Sequence, residues 1–160
     1  MFLRNFEKFF WENFFGFFLV LGREKMERKI GTPLAMAALG EELAGKFDVL
    51  LLHGPLGAGK TTLVQGFVRG LGVDAAVQSP SYGYLREYAG KILHVDCYNI
   101  DSASQFVGLG IPELVGEFEK IVVEWPKFLE EWVGEIRGRG AVVEIELDGE
   151  SGRLVKISEL

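Results

Sequence analysis

Residues 54–61 read Gly-Pro-Leu-Gly-Ala-Gly-Lys-Thr, so Gly54, Gly59, Lys60 and Thr61 hold the fixed positions of Gly-x-x-x-x-Gly-Lys-Thr. These residue types at this spacing suit one kind of chemistry. The glycines let backbone N–H groups turn inward around phosphate oxygens, Lys60 reaches the β- and γ-phosphates, and the Thr61 hydroxyl can ligate Mg²⁺. A nucleotide-bound Mg²⁺ also takes one or two carboxylates. Two acids end apolar runs, Asp96 in ILHVD and Glu124 in IVVEW. Either could hold the metal, directly or through water, and either could orient an attacking water. Ser79 and Ser81 flank Pro80 in a loop that could return to the γ-phosphate, where hydroxyls act as switch residues do. An ordinary turn explains that pair equally well. Trp125 either packs beside the site or fills core, and core is the commoner fate of a lone tryptophan. Lys127, Arg137, Arg139 and Arg153 are further phosphate or partner contacts to weigh against plain solvated surface.

The elements that must position these groups are legible in outline. Phe47–His53 is a Val/Leu-rich run suited to a buried parallel strand. Thr61–Leu71 follows as a helix with Leu63, Val64, Phe67, Val68 and Leu71 on one face and Gly72 as its stop, so its N-terminus faces the anion. Thr32-Pro33 predicts an N-cap with proline at the first helical position, continued by Leu34–Ala44 and closed by Gly45. Tyr82–Tyr88 and Lys91–Val95 predict a hairpin turning at Gly90-Lys91, and Ile121–Val123 another buried strand. Ser102–Val115 is helical but broken by Gly108, Gly110 and Pro112, and Phe128–Ile136 is also expected to be helical. Ala141–Leu147 and Arg153–Ile157 make a terminal hairpin across Asp148–Gly152. Strands alternating with helices and then turning antiparallel predict an α/β layered domain of phosphate-loop NTPase type. Its central sheet should be mixed and mainly parallel, with a C-terminal antiparallel hairpin.

Length and charge narrow the function further. The 160 residues fit one domain, and a net charge of −6 argues against broad attraction to nucleic acid or an anionic membrane. One cysteine, Cys97, excludes an internal disulfide framework and suits a reducing cytoplasm, and with two histidines it leaves little for structural zinc. Residues 1–25 stand apart from the domain at 26–160. Phe2, Phe6, Phe9, Phe10, Phe14, Phe17 and Leu21 recur at helical spacing, opposite Arg4, Asn5, Lys8 and Glu12. Glu7 and Glu12 make a secretory signal a poor reading, and Phe14–Leu21 is too short to span a bilayer, so no stable membrane association is expected. The segment is a docking helix, a helix packed on the domain, or a stretch upstream of a true start at Met26. The last is favoured.

Taken in order, HGPLGAGKTT, QSPSYGYLREY, HVDCYNI, GLGIPELV and VVEWP resemble the bacterial TsaE (YjeE) family, a small ATPase of tRNA N6-threonylcarbamoyladenosine biosynthesis. The resemblance runs from about Met26 to the C-terminus. It implies that Gly57, Ala58, Gly59, Lys60, Thr61 and Thr62 bind the phosphates of ATP, with Thr61 on Mg²⁺. Ser79-Pro80-Ser81 matches a switch-like Ser-Pro-Thr. Asp96 and Glu124 would serve the metal and the hydrolytic water. Trp125 completes the Glu-Trp pair, and the helix around Thr32–Leu39 would lie beside the adenine. Partners would be TsaD and TsaB, with tRNA engaged only indirectly. Pro55, Gly83-Tyr84 and Asn99 depart from the usual pattern, and Asn99 replaces an arginine. None of these changes removes the lysine, the hydroxyls or the acids. A small metabolite kinase is less favoured, because only Arg86 lies between Arg69 and Arg137 to build a closing lid. A GTPase lacks its Asn-Lys-x-Asp guanine reader. A non-hydrolysing, nucleotide-gated assembly module remains the other alternative.

Overall fold

The computed structural model describes residues 25–128 and 137–160. One seven-stranded sheet organises them. In chain order the elements are β1 (Lys25–Ile30), α1 (Pro33–Ala44), β2 (Val49–His53), α2 (Lys60–Gly70), β3 (Leu85–Tyr88) and β4 (Ile92–Asp96). Then come α3 (Ala103–Gly108), α4 (Ile111–Glu117), β5 (Lys120–Glu124), β6 (Gly140–Asp148) and β7 (Gly152–Glu159). The strand order is β1-β7-β6-β2-β5-β4-β3. β6, β2, β5 and β4 run parallel, while β3 pairs antiparallel with β4 and the β6–β7 hairpin carries β1 antiparallel on its outer side. The sheet is thus mixed with a parallel centre, as expected.

Burial follows the pleat. Val49 and Leu51 of β2 face α3 and α4 with Val95, Phe106 and Ile111. Leu50 and Leu52 face α1 and α2 with Leu39, Leu43, Leu63 and Phe67. With both faces covered, the central strands read as continuous apolar runs rather than alternating ones. α1 is capped as its sequence predicts, with the Thr32 hydroxyl accepting from the Ala35 N–H at 3.1 Å and Pro33 in the first turn. Gly45 closes α1 in a right-handed conformation, so its freedom at positive φ is not used there.

One element is unforeseen and two expectations change. Lys25–Ile30 carries no strong strand signal, yet pairing with β7 makes it an edge strand with Ile30 buried. β3 begins only at Leu85, because the Pro80 carbonyl accepts from Gly83 N (2.8 Å) and Tyr84 N (2.6 Å) and holds Ser81–Tyr84 in a turn. The following hairpin turns over Ala89–Lys91, one residue more than the expected Gly90-Lys91, with its tight corner at Ala89-Gly90. Both have positive φ (53° and 63°), the pattern of a type I′ turn. Most of the helix expected over Phe128–Ile136 lies outside the described residues, and Phe128 itself has φ 58°. The aromatic segment at residues 1–24 also lies outside them.

Candidate phosphate-binding site

Because β5 lies between β2 and β4, the register sets Leu52, Glu124 and Asp96 side by side. The phosphate loop leaves β2 at the same carboxyl edge, the edge where ligands bind in open α/β sheets. The loop itself is built on positive φ at Gly54 (152°), Gly57 (74°) and Gly59 (106°). Gly54 has a second constraint, since a Cβ there would lie 2.6 Å from the Ile145 carbonyl oxygen of β6. Gly59 is the N-cap of α2, so the first N–H groups of that helix open into the loop.

Lys60 is buried, at 5% exposure. Its Nζ donates to the carbonyls of Gly54 (2.7 Å) and Pro55 (3.0 Å) and stands 4.2 Å from the Trp125 ring centroid. Burial lowers its pKa, while the nearby charges of Glu124 and Asp96 act in the opposite direction. The Thr61 hydroxyl donates to Glu124 Oε1 at 3.4 Å. Glu124, 3% exposed, is also 2.9 Å from His94 Nε2 through the same oxygen. Asp96, 1% exposed, accepts from the Ser79 hydroxyl (2.9 Å), the Ser81 hydroxyl (2.6 Å) and the Tyr98 N–H (2.8 Å). Asn99 donates to the Ser81 carbonyl at 2.9 Å, so the residue in place of an expected arginine ties down the serine turn.

The loop residues, Thr61, Ser79, Ser81, Asp96, Glu124 and Trp125 therefore meet at one end of the sheet. Thr32, Gly57, Ala58, Gly59 and Thr62 line a cavity of about 160 Å³ with Met36, Ser151 and Arg153, on the α1 side of the loop. Trp125 does not fill core. It is half-buried in a left-handed backbone turn (φ 53°) with its N–H on the Leu52 carbonyl, and it packs against Lys60, Tyr98 and His53. On that opposite side a larger groove of about 920 Å³ includes His53, Leu56, Tyr98, Trp125, Lys127 and Glu144.

The four basic candidates separate cleanly. Arg153 donates to the carbonyls of Gly57 (3.2 Å) and Ala58 (3.1 Å), bracing the outer turn of the loop. Lys127 holds the Tyr98 carbonyl at 2.8 Å. Arg139 pairs with Glu159 and lies over Phe47, next to Asp48 at the amino end of β2 and so away from the loop. Arg137 is exposed. Two histidines, His94 fully buried and His53 half-buried, escaped sequence reasoning. His94 lies two residues before Asp96 on the same face of β4, and that spacing is a usable signal. His53 ends β2 beside Trp125, and burial together with the Lys60 charge pushes its pKa down to about 4.

The fold and the loop define an α/β protein of phosphate-loop type. The family model described as "Threonylcarbamoyl adenosine biosynthesis protein TsaE" matches residues 30–155. The "tRNA threonylcarbamoyladenosine biosynthesis protein TsaE" of Aquifex aeolicus is 31% identical over 146 residues, which cover 87% of this chain and 93% of that protein. Its namesake from Bacillus subtilis is 38% identical over 106 residues, 64% of this chain and 66% of that protein. The crystal structure of YdiB from Bacillus subtilis superposes with a TM-score of 0.63 at 24% identity, covering 85% of this chain and 86% of that one, a likeness of fold. The chain belongs to the TsaE family. Among the described residues, no helix is long and apolar enough to cross a membrane.

Proposed function

We propose that this protein binds and slowly hydrolyses ATP with Mg²⁺ in the cytoplasm. There it would support threonylcarbamoyl transfer to tRNA by its partner proteins TsaD and TsaB, touching the tRNA only indirectly. The observation that carries the reading is the convergence of Lys60, Thr61, Glu124 and Asp96 at the carboxyl edge of β2, β5 and β4 in a member of this family.

The donor set fits a cation that arrives with its nucleotide. Thr61 and the two acids offer hard oxygens, which suit Mg²⁺. The described residues contain no group of three or more His, Cys, Asp or Glu able to hold a metal ion, so phosphate oxygens would have to complete the shell. Thr61 and Glu124 would hold the ion, with Asp96 near enough to contribute. When bound, it neutralises charge on the β- and γ-phosphates. The remaining work falls to the chain. Lys60 exchanges the Gly54 and Pro55 carbonyls for phosphate oxygens. The backbone N–H groups of Gly57–Thr62 cradle the phosphates, and Glu124 or Asp96 accepts a hydrogen bond from the attacking water. The cavity beside Thr32 and Met36 takes the nucleoside. The serine turn sits on Asp96, so loss of the γ-phosphate can be passed to residues 79–82 and to a bound partner. Few arginines reach this edge, which disfavours the metabolite-kinase alternative. A gate that binds ATP without turnover would show no hydrolysis even with both partners present.

The test is reconstitution with TsaD, TsaB and tRNA, reading ATP turnover and modified adenosine. Lys60→Ala removes a buried cation from the phosphates, a loss of about 2–4 kcal/mol or roughly 30- to 700-fold in ATP affinity. It should abolish support of the modification. Unchanged modification by this variant overturns the mechanism.

A further inference from the structure

His94 is fully buried on β4, at 0% exposure among apolar neighbours. A buried imidazole is costly unless both ring nitrogens are partnered. Here both are. Nε2 lies 2.9 Å from Glu124 Oε1 and Nδ1 lies 3.5 Å from the Tyr88 hydroxyl, a longer and weaker contact. The carboxylate of Glu124 can only accept, so Nε2 carries the proton and Nδ1 is left to accept from Tyr88. Glu124 Oε1 takes the Thr61 hydroxyl as well. One chain of contacts therefore runs Tyr88, His94, Glu124, Thr61, joining the end of β3 to the first residues of α2.

We infer that His94 is a positioning residue: its Nε2–H fixes the Glu124 carboxylate so that it and the Thr61 hydroxyl present oxygens to a nucleotide-bound divalent cation. This rests on the reading of Thr61 and Glu124 as cation-facing groups. A histidine that merely filled core would have no reason to bond the one buried acid that also bonds the loop threonine. Both bonds to Glu124 fall on Oε1, which sets the direction of Oε2. Without His94 the carboxylate would keep only the 3.4 Å contact to Thr61 and could rotate. A carboxylate oriented from behind by such a partner is the usual arrangement around bound metals, and losing the partner costs about 10- to 100-fold in metal affinity or activity.

The experiment measures ADP binding by calorimetry with and without Mg²⁺, alongside ATP turnover, for the wild type and for His94→Ala, His94→Asn and His94→Gln. The glutamine amide can take the place of Nε2, whereas the asparagine amide stops short of Glu124. The alanine and asparagine variants should need roughly 10- to 100-fold more Mg²⁺ for half-maximal tightening of ADP binding. Their Mg²⁺-free ADP affinity should stay near the wild-type value. Turnover should fall through kcat with KM little changed, and glutamine should restore most of both. If the alanine variant does not fold, the asparagine–glutamine comparison decides alone. Wild-type Mg²⁺ dependence in the asparagine variant overturns the inference, as does equal loss of Mg²⁺-free binding and melting temperature in asparagine and glutamine. If wild-type protein binds Mg²⁺-ADP but hydrolyses nothing with its partners, the hydrolytic reading fails, and the Mg²⁺ dependence of ADP binding still judges His94.

Discussion

Replacing Gly66 with alanine should unsettle the whole phosphate-binding edge, although Gly66 touches no ligand group. α1 and α2 pack backbone to backbone. A Cβ on Gly66 would lie 1.8 Å from the Ala37 carbonyl oxygen and 2.6 Å from its carbon, and one on Gly40 would lie 2.1 Å from the Leu63 carbonyl oxygen. Ordinary contact begins near 3.4 Å, so the helices would have to part by roughly 1.5 Å. The obstacle is backbone and cannot rotate away. Overpacking of this kind costs about 3 kcal/mol, and a gap opened beside Leu39, Leu43 and Phe67 forfeits further dispersion contacts. Against this, Gly→Ala within a helix gains about 1 kcal/mol. The net loss of about 2 kcal/mol lowers Tm by about 4–8 °C for a chain of this size. α2 begins at Lys60, so its displacement should also weaken ADP binding. Urea unfolding read by circular dichroism, with an ADP titration on the same samples, checks both effects. Gly108→Ala is the control, because a Cβ at that position meets nothing within 4 Å, and it should be neutral or slightly stabilising. An unfolding midpoint for Gly66→Ala equal to or above the wild type would refute the close-packing argument.

Three further outcomes follow from the site. Ser79→Ala with Ser81→Ala strips two hydroxyl donors from the buried Asp96 carboxylate, at about 1–3 kcal/mol each. Stability should fall by about 2–4 kcal/mol in chemical denaturation, and Asp96→Asn in that background should recover part of it. Arg153→Ala removes the brace on Gly57 and Ala58 and should weaken ADP binding about tenfold while changing the unfolding midpoint little, because those contacts are partly exposed. His53 titrates near 4 when folded against an ordinary 6.5. The unfolded chain therefore binds the extra proton first, and stability should fall as pH drops from about 6.5 to about 4. The loss is at most about 3 kcal/mol and should be absent in His53→Gln. A flat stability profile across that window in wild-type protein would contradict the burial assigned to this ring.

The phosphate loop, its strand and its helix were legible because they are local. Fixed glycine, lysine and threonine spacing, an apolar run and an i, i+3, i+4 stripe need no knowledge of distant residues. Asp96 and Glu124 were legible for a related reason, since a single acid closing a buried strand marks the end where ligands collect. β1 was not legible, because its charge-rich run becomes a strand only when β7 offers a ladder. The same holds for Arg153, which is 95 residues from the carbonyl of Ala58 that it braces. Which of the four basic candidates reached the loop could not be decided without the sheet order. The contribution of Trp125 depended on a left-handed turn that folds it onto Lys60 instead of into the core.

The sequence by itself determined the chemistry available to this protein: a cradle for phosphates, a lysine, hydroxyls and two carboxylates in a family-specific order. Tertiary structure decided how those groups are held. Placing β5 between β2 and β4 brings Glu124 beside Asp96 and under Thr61, and it puts His94 behind Glu124. The physical reason is that residue type and short spacing are encoded along the chain, whereas orientation of a buried carboxylate depends on hydrogen-bond donors brought from other strands.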